Sequence, residues 1–124
     1  MERSYLITMC LLIFHQIDAA YWKEWEMFYL PGGIQGYLLF NIAIIPMVLL
    51  GYRRVIVNDS NARKYSYFCA GLGITTFTIH MVYMVLDYEQ FTLPLSIFII
   101  TSCLISSVYQ IKQTMKYGSV VSQA

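Results

Sequence analysis

Residues 34–52 read IQGYLLFNIAIIPMVLLGY, without one Asp, Glu, Lys or Arg. A helix crossing about 30 Å of hydrocarbon needs about 20 predominantly apolar residues. This run meets that requirement, and three runs of the same kind flank it, at about 4–22, 65–86 and 93–111. The connectors are short. Residues 23–33 hold charges, aromatics and Pro31-Gly32-Gly33. Residues 53–64 are polar and contain Asn58-Asp59-Ser60-Asn61, and 87–92 form a tight acidic turn. Long apolar runs with short connections predict an all-α integral membrane protein, an up-down-up-down four-helix bundle.

Composition points the same way. Of 124 residues, 58% are hydrophobic and 12% charged, and mean hydropathy is +0.56. A soluble domain carries roughly 25% charged residues, so too few charges remain to cover a soluble surface. The length predicts a single domain over 1–124, with the lipid bilayer as its main partner. Net charge is +1, and no basic stripe with interleaved aromatics points to nucleic acid. Cys10, Cys69 and Cys103 each sit in an apolar run. An odd number without C-x-x-C spacing is no closed disulfide framework, so they read as small buried hydrophobes. Arg3 followed by the apolar stretch 6–14 resembles a secretion signal. No small-x-small cleavage pattern follows cleanly, so the segment is read as a retained first span.

Basic residues in short loops set orientation. Arg3, Arg53, Arg54, Arg63, Lys64, Lys112 and Lys116 fall on one side of the predicted membrane, Lys23 alone on the other. Both termini and the central loop are therefore expected in the cytoplasm, with the protein in the cytoplasmic (inner) membrane. Tyr21, Trp22, Trp25, Phe28 and Tyr29 suit an outer interfacial aromatic belt.

The two halves resemble each other. F-H-Q-I-D then E-M-F-Y-L-P-G-G-I in the first matches I-H-M-V-Y then E-Q-F-T-L-P-L-S-I in the second. His15 pairs with His80, Glu26 with Glu89, Phe28 with Phe91 and Pro31 with Pro94; His to Glu is 11 positions in one half and 9 in the other. Each half holds two spans, so the expectation is two parallel two-helix repeats, about 1–57 and 58–124, around an axis along the membrane normal. Pro lacks an N–H that the first helical turn leaves unpaired anyway, so Pro31 and Pro94 are expected to open the second and fourth spans.

Ionisable residues within spans are functional hypotheses by default. His15 and Asp18 share one face of the first predicted helix; His80, Tyr83 and Asp87 share one face of the third. A pseudo-two-fold axis would bring these faces together in the outer half of the bundle. The candidate catalytic residues are His15, Asp18, His80 and Tyr83. The candidate metal ligands are His15, Asp18, His80, Asp87, Glu26 and Glu89, with the last two as a lid. Imidazoles and carboxylates suit a divalent metal such as zinc. The same set suits proton transfer or a hydrogen-bonded network that fixes helix register. Asp87, Glu24 and Glu89 also fit as solvated loop acids. Pro46 frees the Ile42 carbonyl, Asn41 is expected to bond across helices, and Gly32 and Gly36 form a G-x-x-x-G packing pair. Ser102, Ser106 and Tyr109 make a polar stripe on the last span.

The stretch from His15 to Gly36, HQIDAAYWKEWEMFYLPGGIQG, resembles a pattern of small, uncharacterised bacterial four-helix membrane proteins, which implies no assigned activity. More distantly, H-x-x-D is similar to the HxxEE-motif membrane family; Asp18-Ala19 stands here where that family has two acids. The likeness implies a site built on His15 and Asp18. Three functions fit these residues. The first is a membrane-embedded binding or catalytic site acting on a lipid-like or other hydrophobic molecule. The second is a non-enzymatic accessory or structural subunit of a larger membrane complex. The third, ranked last because its acids lie far from the midplane, is a small proton- or cation-coupled transporter.

Overall fold

The computed structural model describes residues 1–86 and 89–121, with side chains through residue 117. It contains helices α1 (Glu2–Tyr21), α2 (Glu24–Met27), α3 (Ile34–Ile56), α4 (Ala62–Val85) and α5 (Pro94–Val121), with no strand among the described residues. α1 packs on α3, α4 and α5, and α4 packs on α3 and α5, while among the described residues the backbones of α3 and α5 do not approach closely. α1 and α4 therefore meet across the short diagonal.

α3, α4 and the segment Pro94–Tyr117 of α5 are long and apolar enough to cross a membrane. Their outward positions carry Leu39, Ile42, Val82, Phe98 and Ile105, all exposed. Such a surface is costly in water and natural against acyl chains. α1 does not reach the same apolarity because His15, Gln16 and Asp18 interrupt its second half. Its buried stripe is nonetheless regular: Tyr5, Thr8, Met9, Leu12, His15 and Ala19 recur at helical spacing.

Pro94 opens α5 as expected, but Pro31 does not open α3. Gly32 and Gly33 adopt φ of 84° and 54°, conformations that end any helical path through them. The chain turns, and α3 begins at Ile34 with the Gln35 and Gly36 amides bonded back to the Gly32 carbonyl at 3.1 and 3.4 Å. A Cβ on Gly36 would collide with the Pro31 carbonyl oxygen. The G-x-x-x-G pair thus serves this turn, not a helix interface. Gly36→Ala is expected to destabilise the protein by roughly 1–3 kcal/mol through overpacking. Gly71→Ala, which meets open space, should be neutral or stabilising by a few tenths of a kcal/mol. Thermal unfolding of both variants in detergent checks the contrast.

The close helix approaches lie elsewhere. Gly51 faces the Tyr5 hydroxyl and the Tyr65 ring, and Gly73 faces Ser107 and the Cys103 carbonyl. Asn41 does not bond across helices: its Nδ2 donates to the Tyr37 carbonyl of its own helix at 3.0 Å. The inward polar stripe of α5 is Ser107, Gln110 and Thr114, all fully buried, one step around the helix from the Ser102–Ser106–Tyr109 set. Gln110 Nε2 donates to the Ser66 carbonyl at 2.9 Å and to Ser66 Oγ at 3.1 Å, and Ser66 and Thr114 share a 2.7 Å hydroxyl bond. These bonds pin α4 to α5 at one end of the molecule. Cys69 and Cys103 are buried free thiols and Cys10 is a half-buried one, in keeping with their reading as hydrophobes.

The α3–α4 turn is held by Asp59. Its carboxylate accepts from the Asn61 amide at 2.8 Å and from Arg54 at 2.7 Å. The Asn61 amide first, then Arg54, hold its carboxyl below the ordinary 3.8. A depressed carboxyl stabilises the fold above its unfolded value and loses that contribution as pH falls through the folded value. An NMR titration of Asp59 should therefore give a midpoint below 3.8, and Arg54→Ala should move it upward.

Candidate metal centre

His15 on α1 and His80 on α4 face each other across the diagonal, with their Nε2 atoms 3.4 Å apart. The third member is Glu24. Lys23, at φ 53°, ends α1 with a left-handed residue and turns the chain so that Glu24, the first residue of α2, points back into the helices. Its Oε1 stands 3.3 Å from His80 Nε2 and 3.8 Å from His15 Nε2. The three residues are only 2%, 5% and 6% exposed for His15, His80 and Glu24, so solvent does not compete for these atoms.

These three atoms form a nearly equilateral triangle. A point about 2.0 Å from every corner lies at its centre, the Zn–N and Zn–O bond length. The three atoms are thus spaced as ligands that could share one cation. Two imidazoles and one carboxylate are also a known catalytic zinc set, which leaves a coordination position for water or substrate. The described His, Cys, Asp and Glu residues yield no other candidate group of three or more.

Aromatic rings close the site. Phe91 is buried at φ 62°, and its ring centroid lies 4.2 Å from that of His80, 5.8 Å from His15 and 5.9 Å from Trp22. Phe28 packs on Tyr83 at 5.3 Å. Beside His80 lies a cavity of about 130 Å³, lined among others by Met27, Tyr83, Gln90 and Phe91. His80 Nδ1 and Gln90 Oε1 are both buried without a hydrogen-bond partner.

The remaining candidates are placed differently. Asp18 is turned from the triangle toward α5, where its Oδ1 accepts from Ser96 Oγ at 3.0 Å and Ser96 in turn accepts from Trp22 Nε1 at 3.3 Å. Tyr83 donates to the Met27 carbonyl at 3.2 Å, which ties α4 to the short α2. Glu26 is a surface acid 3.8 Å from Lys23 Nζ. Glu89 is exposed, and the two acids border one surface cleft with Lys23. Asp87 lies outside the described residues. Neither Glu26 nor Glu89 joins the His15–Glu24–His80 group.

Glu24 is the correction: it is no solvated loop acid but a buried partner of both imidazoles. A signal for it existed. Glu24 follows His15 by nine positions, as Glu89 follows His80. Aligning the halves on E-x-F-x-L-P selected Glu26, which the α2 turn carries to the surface.

Fold and site together define a helical protein with apolar helices fit to cross a membrane and a buried His–Glu–His cluster. The model of DUF6713, a family of unknown function, matches residues 1–117, and the chain belongs to this family. No curated protein and no solved structure matches it.

Proposed function

We propose that this chain is a four-span membrane protein whose two halves, 1–57 and 58–124, jointly hold a divalent metal ion of the zinc type at His15, Glu24 and His80. The observation that carries the proposal is the triangle of buried ligand atoms with sides of 3.3, 3.4 and 3.8 Å. α1 spans as the fourth helix because its polar residues turn toward its neighbours: His15 is buried against α4, Gln16 bonds Tyr37 of α3 and Asp18 bonds Ser96 of α5, while Phe14 and Ile17 are exposed. The repeat is supported by a crossed exchange. Phe28 of the first half packs on Tyr83 of the second, and Phe91 of the second packs on His15 and Trp22 of the first.

Three protein ligands leave room for a water or a substrate group, and a bound metal would supply Lewis-acid chemistry there. Burial among aromatic rings favours substrates that arrive from lipid, so the centre serves a polar group carried on a hydrophobic molecule. Tyr83 and Phe91 position the centre, and Phe91 shields it from water. The test is metal analysis of protein purified without chelators. About one equivalent of metal in wild type is expected. A metal-free protein that resists loading would leave the cluster as a hydrogen-bonded network and overturn the proposal.

A further inference from the structure

A second feature of α1 lies away from the metal triangle. Between α1 and α5 runs a groove of about 600 Å³ whose walls include Phe14, Ile17, Phe98 and Ile99, with Asp18 and Ser96 among its lining. Phe14, Ile17 and Phe98 are exposed, so the groove opens on the surface that faces acyl chains in the membrane-spanning reading, on which this inference rests. Asp18 is its only carboxylate. Ser96 satisfies Oδ1, while Oδ2 is buried and left without a partner, and no described residue forms an ion pair with Asp18.

A carboxylate set in an apolar wall is costly unless a cation compensates it. Asp18 also lies in the last turn of α1, the helix end whose partial negative charge favours a cation. One end of the groove therefore calls for a positive hydrogen-bond donor, and the rest for hydrocarbon. We infer that the α1–α5 groove binds a bilayer aminophospholipid, its primary ammonium on Asp18 and an acyl chain along Phe14, Ile17 and Phe98. A choline headgroup is also cationic but has no N–H to donate, and an anionic glycerol headgroup is repelled, so the site discriminates among lipids.

The experiment reconstitutes the full chain with equimolar phosphatidylethanolamine, phosphatidylcholine and phosphatidylglycerol, and measures retained lipid by native mass spectrometry. Wild type should retain phosphatidylethanolamine about tenfold over the other two, the worth of one charge-assisted hydrogen bond. Asp18→Asn should bring the ratio near one while leaving metal content unchanged, which separates this site from the metal centre. Ile17→Trp, a change at an exposed position, should lower retention of all three lipids by filling the groove. Equal retention by wild type, an unchanged ratio in Asp18→Asn, or no retained lipid of any class would overturn the inference. The last outcome alone would also count against the membrane reading.

Discussion

His15→Ala and His80→Ala proteins are each expected to bind the metal at least about a hundredfold more weakly than wild type, since losing an outer-shell partner alone costs about 10–100-fold. Each change removes one corner of the triangle, and two remaining ligands hold a divalent ion poorly. Glu24→Gln should fall between, because its amide keeps an oxygen but loses the charge that offsets the cation. Glu26→Gln and Glu89→Gln should bind as wild type, since both acids are exposed and Glu26 pairs with Lys23. Chelator competition measures the affinities, and cobalt substitution reports the ligand set through its visible absorption. Helical circular dichroism and elution volume separate loss of metal from loss of fold. Acidification should release the metal from wild type, because imidazole binds a cation only when neutral. A Glu24→Gln protein as tight as wild type would remove Glu24 from the centre.

The second large effect is mechanical. Gly73→Ala is expected to destabilise the protein by about 2–3 kcal/mol, in the range for overpacking. The added Cβ would overlap Ser107 Oγ and press on the Cys103 carbonyl, where α4 and α5 are held together by Ser66, Gln110 and Thr114. Either the Ser107 hydroxyl must rotate away or the two helices must move apart there. His80 lies about two turns further along α4, so metal affinity should fall in the same variant. Ser107→Ala alone should be nearly neutral, because its hydroxyl is buried without a partner and removing it leaves nothing unsatisfied. The double variant should recover most of the lost stability, since the offending oxygen is gone. Chemical or thermal unfolding of the four proteins gives the coupling directly. A double variant no better than Gly73→Ala would place the strain on the Cys103 backbone instead.

The apolar runs, their lengths and their breaks were legible in residue order. Helix formation and membrane fitness depend on local composition, and the four long helices fall close to the segments read from it. The opposition of His15 and His80 was expected from the likeness of the sequence around them, and the two rings do meet. Three things were not legible. Pro31 was misplaced because two left-handed glycines, not the proline, decide where α3 begins. The inner stripe of α5 was missed because its face depends on where α4 lies, and spacing alone leaves several polar faces open. Asp18 shares a helix face with His15 at i, i+3, yet Ser96 on α5 draws its carboxylate aside.

Glu24 shows the division most clearly. Sequence by itself determined that this chain is helical and apolar and that each histidine lies within an apolar helix, because periodicity and composition are properties of each segment alone. Which acid joins those histidines was decided by tertiary structure. One left-handed residue at Lys23 sends Glu24 inward and Glu26 outward, and the direction of a turn is settled by what packs on both sides of it.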